Sequence, residues 1–224
     1  FASHGAARGQ APDPEVRQAC RDIAAVWRLN FTVTGEERCP RYSLSDPSAH
    51  AGRPNRLTAA IREIVGPALA VPQNIQLGSR ATRLEFLAGI VDSDGHLSSG
   101  GFEVVQKRVD YANAITFIAR SVGIWATVTT KIVNGQTYFR LFLSGNIDRV
   151  PTRIPRKQAA PRQQIKDPLR TGFAIESIGE GEYAGSELDG DGRFLLGDFT
   201  VTHNTRILQR IAGLLPSPLF AAMT

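Results

Sequence analysis

TRLEFLAGIVDSDGHL, residues 82–97, is the stretch on which the fold turns. Thr82 and Glu85 stand three apart in the spacing of a capping box, which predicts a helix starting at Thr82. Leu84, Leu87, Ala88 and Val91 follow at i, i+3, i+4 and i+7, one apolar face of that helix. Ala88 and Gly89 are small enough to let a second helix approach closely, and Gly95 is placed to end the helix. Asp92 and Asp94 are the unexpected residues. Carboxylates at a helix C-terminus meet the negative end of the backbone dipole and call for a compensating positive charge. A divalent cation would supply it, and two such helices side by side would bring one Asp from each to a shared centre suited to phosphodiester hydrolysis. An Asx-type turn before the glycine accounts for the same residues, and both readings stay open here.

Outward from this stretch the chain repeats itself. CRDIAAVWRLNFTVT (Cys20 to Thr34) aligns without gaps with ITFIARSVGIWATVT (Ile115 to Thr129), sharing Ile23/Ile118, Ala24/Ala119 and the Thr-Val-Thr end. Each copy reads as the end of an amphipathic helix running into a β-branched strand. A second strand follows each, over Arg41–Ser45 and Tyr138–Ser144. Shifted back by the repeat spacing, the counterpart of this stretch through Gly95 would end just before Phe1. Because the sequence opens on Phe1 and not Met, we expect a chain cut from something longer, lacking that first helix.

LAGIVDSDG (Leu87 to Gly95) resembles the LAGLIDADG signature of homing endonucleases at six of nine positions. The preceding Val71-Pro-Gln-Asn-Ile75 is similar to the block that introduces the second signature in intein-borne members of that family. The resemblance implies an α+β endonuclease fold, double-stranded DNA as partner, Mg2+ as cofactor and Asp94 as its ligand. A family lysine two residues before Val71 is replaced by Leu69, and Lys157 matches a second family lysine with a catalytic role. With one metal-site half and the lysine at 69 missing, nuclease activity of this chain is expected to be absent.

Beyond the second copy, Arg149, Arg153, Arg156, Lys157, Arg162, Lys166 and Arg170 face one acid, Asp167, in a stretch broken by Pro151, Pro155, Pro161 and Pro168. It reads as an extended basic connector. A solvated linker explains it as well as DNA contact does; beside an endonuclease half, Arg149, Arg153, Arg156, Lys157 and Arg162 are the candidate phosphate contacts. The sign then reverses: between Phe173 and Asp198 only Arg193 opposes seven acids. Short strands over Phe173–Ile178, Arg193–Leu196 and Phe199–Thr202 predict a small all-β piece.

That piece ends in GDFTVTHNT (Gly197 to Thr205), which delivers His203, Asn204 and Thr205 in succession. An Asn side-chain amide can attack its own backbone carbonyl and cut the chain after itself. A neighbouring imidazole can act as general acid, and a following hydroxyl can take an acyl group. Tyr183 to Thr205 resembles the C-terminal splicing blocks of inteins of the vacuolar-ATPase type. The resemblance implies that His203 assists, Asn204 cyclises and Thr205 opens the host protein. The expected plan is therefore the remainder of a first endonuclease half (1–66), a second half (67–152), the basic connector (153–172), a C-terminal segment of an all-β Hint-type splicing domain (173–204) and a host-protein remnant (205–224). Its partners would be homing-site DNA, host exteins and an N-terminal intein portion. A non-catalytic DNA-binding module and an autocleaving Hint-type maturation domain are the rival functions.

Composition agrees with such a protein without demanding it. The chain of 224 residues is 42% apolar and 21% charged, with net charge +5 and a pI near 9.6, which favours an anionic partner. Cys20 and Cys39 make neither a disulfide framework nor a zinc site. No apolar run long enough for a membrane span and no secretory signal is present, so a cytoplasmic or nuclear, non-secreted protein is expected.

Overall fold

The computed structural model describes residues 13–35, 40–68, 70–161, 170, 174, 176–177, 179–180 and 188–203. The chain divides into two compact units, residues 1–170 and 171–224.

The first unit is α+β and is built twice. Helix α1 (Pro14–Trp27) leads into the antiparallel pair β1 (Asn30–Thr34) and β2 (Arg41–Ser45), and α2 (Arg56–Val65) follows. A short helix α3 (Gln73–Gln76) precedes α4 (Arg80–Asp94), the hairpin β3 (Gly95–Ser98) and β4 (Gly101–Gln106), helix α5 (Val109–Ser121), and the long hairpin β5 (Ile124–Val133) and β6 (Gln136–Gly145). Strands β3, β4, β6 and β5 form one antiparallel sheet in that order. Pro14 and Val109 open corresponding helices, and Arg41 and Gln136 open corresponding strands, so one spacing of 95 residues relates both pairs. Burial repeats too: Cys20 and Ile115, Ala24 and Ala119, Leu29 and Ile124 are all buried. The predicted helix–strand–strand units are thus present. Ile23 breaks the match, being 42% exposed where Ile118 is fully covered.

The core lies between one face of the four-stranded sheet and the helices α4 and α5. Phe102, Val104, Leu141, Leu143, Ile124 and Ala126 alternate onto that face and meet Leu87, Ala88 and Val91 of α4 and Ala112, Ile115, Ile118 and Ala119 of α5. The other face carries Trp125, Thr127, Thr129 and Lys131 of β5, and Tyr138, Arg140 and Phe142 of β6. Asn134 and Gly135, both at positive φ, turn the β5–β6 hairpin in the way a two-residue loop of the primed type requires. The hairpin β3–β4 fits the helix–strand–strand–helix repeat implied by the resemblance, although no residues are assigned to it from the sequence; its two-residue turn at Ser99 and Gly100, both again at positive φ, is the signal that could have found it.

In the second unit β7 (Arg193–Leu195) pairs antiparallel with β8 (Val201–His203). The second strand begins two residues later than the predicted Phe199, because Phe199 takes a left-handed φ of 69° inside the turn. Of the predicted strand over residues 173–178, residues 173, 175 and 178 lie outside the described residues, and 174, 176 and 177 belong to no strand.

Candidate active site at the end of helix α4

Helix α4 starts earlier than its sequence suggests. Ser79 is the N-cap, its hydroxyl accepting from the Thr82 backbone N–H at 3.1 Å, so Thr82 lies inside the first turn and the Thr82–Glu85 capping box does not form. The expected apolar face is real: Leu87 and Val91 are fully covered and Ala88 nearly so, with Leu84 half-buried. Ala88 serves this core and not an outer contact. The opposite side, Thr82, Glu85, Gly89 and Ser93, is exposed, and a Cβ added at Gly89 would meet nothing within 4 Å. A helix therefore has backbone-close access at Gly89 alone. Gly95 ends α4 for a steric reason: a Cβ there would stand 2.6 Å from the Val91 Cα.

The two carboxylates at this end are treated differently. Asp94 is exposed on the last helical residue, the position expected of a metal ligand. Asp92 is half-buried, and its carboxylate accepts from the backbone N–H groups of Arg153, at 2.9 Å, and Ile154, at 3.4 Å. Positive charge at the helix terminus comes from Lys157. Its Nζ donates at 2.8 Å to both the Val91 and Asp92 carbonyls, and the residue is only 1% exposed. Burial pulls the Lys157 pKa down from its ordinary value, with the adjacent Arg156 charge acting the same way and Asp92, Asp13 and Asp94 opposing. A phosphate-facing lysine, which the sequence led us to expect, would stand in solvent; this one stands under the helix end.

The basic connector is more structured than its prolines implied. Two short 3-10 turns, Ile147–Arg149 and Pro155–Lys157, fold it back on the first unit, and Ile147, Val150 and Ile154 are buried. Arg156 pairs with Asp13 at 2.9 and 2.6 Å, so its charge is already engaged. Arg149 and Arg153 are exposed and form no ion pair among the described residues. Arg162 and Leu69 lie outside the described residues.

Among the described residues no three His, Cys, Asp or Glu side chains gather as a metal cluster. Asp94 fits Mg2+ as one carboxylate ligand, since that ion is commonly held by one or two carboxylates with phosphate oxygens and water completing the shell. Residues 70–148 match the homing endonuclease family model. The matched segment runs from just before α3 to the 3-10 turn after β6, and includes Asp94 but not Lys157. Among solved structures, mesophilic variants of the homing endonuclease I-DmoI are 11% identical with a TM-score of 0.46, over 63% of this chain and 73% of that one. An I-DmoI variant solved with its target DNA and manganese gives the same identity and score over 63% and 71%. Another, with target DNA and magnesium, is 13% identical with a TM-score of 0.41 over 61% and 67%.

In the second unit, His203 closes β8 opposite Arg193. The strand thus leads directly to the Asn204–Thr205 pair, which itself lies outside the described residues. Among the described residues no helix is long and apolar enough to cross a membrane.

Proposed function

We propose that this chain joins a DNA-binding domain of homing-endonuclease type to the C-terminal splice junction of an intein. The observation that carries the first part is α4: buried on one side, open at Gly89 on the other, and ending in the exposed carboxylate of Asp94. Duplex DNA would lie along the outer face of the sheet, where Trp125, Lys131 and Tyr138 combine aromatic surface with positive charge, and Arg149 and Arg153 would add phosphate contacts. Magnesium, when bound, would neutralise charge on the scissile phosphate and activate water. Asp94 would hold it with an acceptor-only carboxylate; the sheet would fix the register of the duplex. With a single such carboxylate gathered among the described residues, this chain by itself is expected to bind its site and leave it uncut.

The second part rests on His203, Asn204 and Thr205. Asn204 would cyclise with release of the segment that begins at Thr205, while His203 donates a proton to the departing amine. The two parts have separate tests. Gel-shift titration with the uninterrupted host-gene site should show binding in EDTA, and incubation in magnesium should leave the duplex intact; double-strand cleavage would contradict the inactivity. Mass spectrometry should detect the mass of residues 205–224 released from the wild type and not from Asn204→Ala. Equal release from both would remove the splicing reading and the autocleaving alternative together.

A further inference from the structure

Lys157 and Asp92 bond in opposite directions across one small gap. Lys157 sends its ammonium to the carbonyls of Val91 and Asp92, and the Asp92 carboxylate receives the backbone N–H groups of Arg153 and Ile154. The loop between is closed on itself: Thr152 Oγ1 donates to the Lys157 carbonyl at 3.1 Å, and the Lys157 N–H donates to Ile154 at 2.9 Å. Thr152, Ile154 and Lys157 are all at least 94% covered. Arg156, beside Lys157, carries the same segment to Asp13 at the start of α1.

We propose that residues 152–157 form a clasp on the end of α4 and that Lys157 is a positioning residue for Asp94, not a group that touches DNA. The last carbonyls of a helix have no partner within it; Lys157 takes that of Asp92, and it shares the Val91 carbonyl with the Gly95 N–H that closes the helix. Its charge also meets the negative helix terminus and the two aspartates there. Asp92 holds the clasp from the other side, so Asp94, two residues on, stands on a helix end that cannot fray. The metal-binding part of this inference rests on the reading of Asp94 as a ligand.

The test uses the full chain, Lys157→Met and Asp92→Asn, followed by NMR. Amide exchange at Ser93, Asp94 and Gly95 should accelerate at least tenfold in both variants, with the β5–β6 amides unchanged. Mn2+ added alone should broaden the Gly95 amide, and both variants should need several-fold more metal. The two substitutions change local charge in opposite senses, so a purely electrostatic influence would move the two midpoints apart, and that result would overturn the clasp. Unchanged exchange at α4 in both variants would overturn it as well. Should Lys157→Met fail to fold, Asp92→Asn carries the exchange measurement. Asp94→Asn separates the two readings: Mn2+ broadening that survives it sinks Asp94 as ligand, while the exchange data still report on the clasp.

Discussion

Asp46 shows how much a single carboxylate can organise. It accepts from the Ser48 backbone and hydroxyl, and from the Arg56 backbone, Nε and Nη2, with contacts of 2.7–3.1 Å. The Arg56 side chain, foremost among these donors, holds the Asp46 carboxyl well below the usual carboxylate range. A depressed folded-state pKa stabilises above the unfolded value of about 4 and loses that stability as pH falls towards the folded value. Thermal melts of the wild type should therefore drop below pH 4 more steeply than those of Asp46→Asn, whose melting temperature is lower at neutral pH and flatter in acid. Lys157 teaches a different lesson at this scale. The need for positive charge behind Asp92 was legible in the sequence as a helix-dipole problem. Its source was not, because the donor lies 65 residues from the carbonyl it caps and no local pattern joins them.

At the scale of elements, α4 was legible on its buried side and misread at its start. The i, i+3, i+4, i+7 rule depends only on helical period, and Leu87, Ala88 and Val91 obey it. The capping box failed because Ser79 offered an equally good hydroxyl one turn earlier, with Arg80 and Ala81 as ready helix formers. Leu87→Ala should cost about 2–5 kcal/mol in denaturant unfolding, the range for emptying a core leucine site. Gly95→Ala should cost about 1–3 kcal/mol, since its methyl would press on the Val91 backbone and force the end of α4 aside. The strands were legible by repetition: one copy of the helix–strand unit supported the other. The proline-rich connector misled, because four prolines do forbid a helix but do not forbid 3-10 turns packed through Ile147, Val150 and Ile154.

The whole molecule sorts its basic charge into engaged and free groups. Arg56, Arg108, Arg140 and Arg156 are each paired with a carboxylate, whereas Arg149 and Arg153 are exposed. If those two meet phosphates, Arg149→Ala and Arg153→Ala should each lower the slope of log affinity against log salt by about 1 while leaving sequence preference intact. Fluorescence anisotropy over a salt series measures this, and an unchanged slope would remove both from the interface. The Asp13–Arg156 pair spans 143 residues of chain. On a ribosome adding roughly 5–20 residues per second, the start of α1 waits on the order of ten seconds for the arginine that anchors it. During that interval α1 has its own hairpin of β1 and β2 to pack against, and Ile23 and Val26 stay exposed even in the finished fold. A residue late in the first unit thus ties down the start of α1, and that contact forms only after the strands between them have been made.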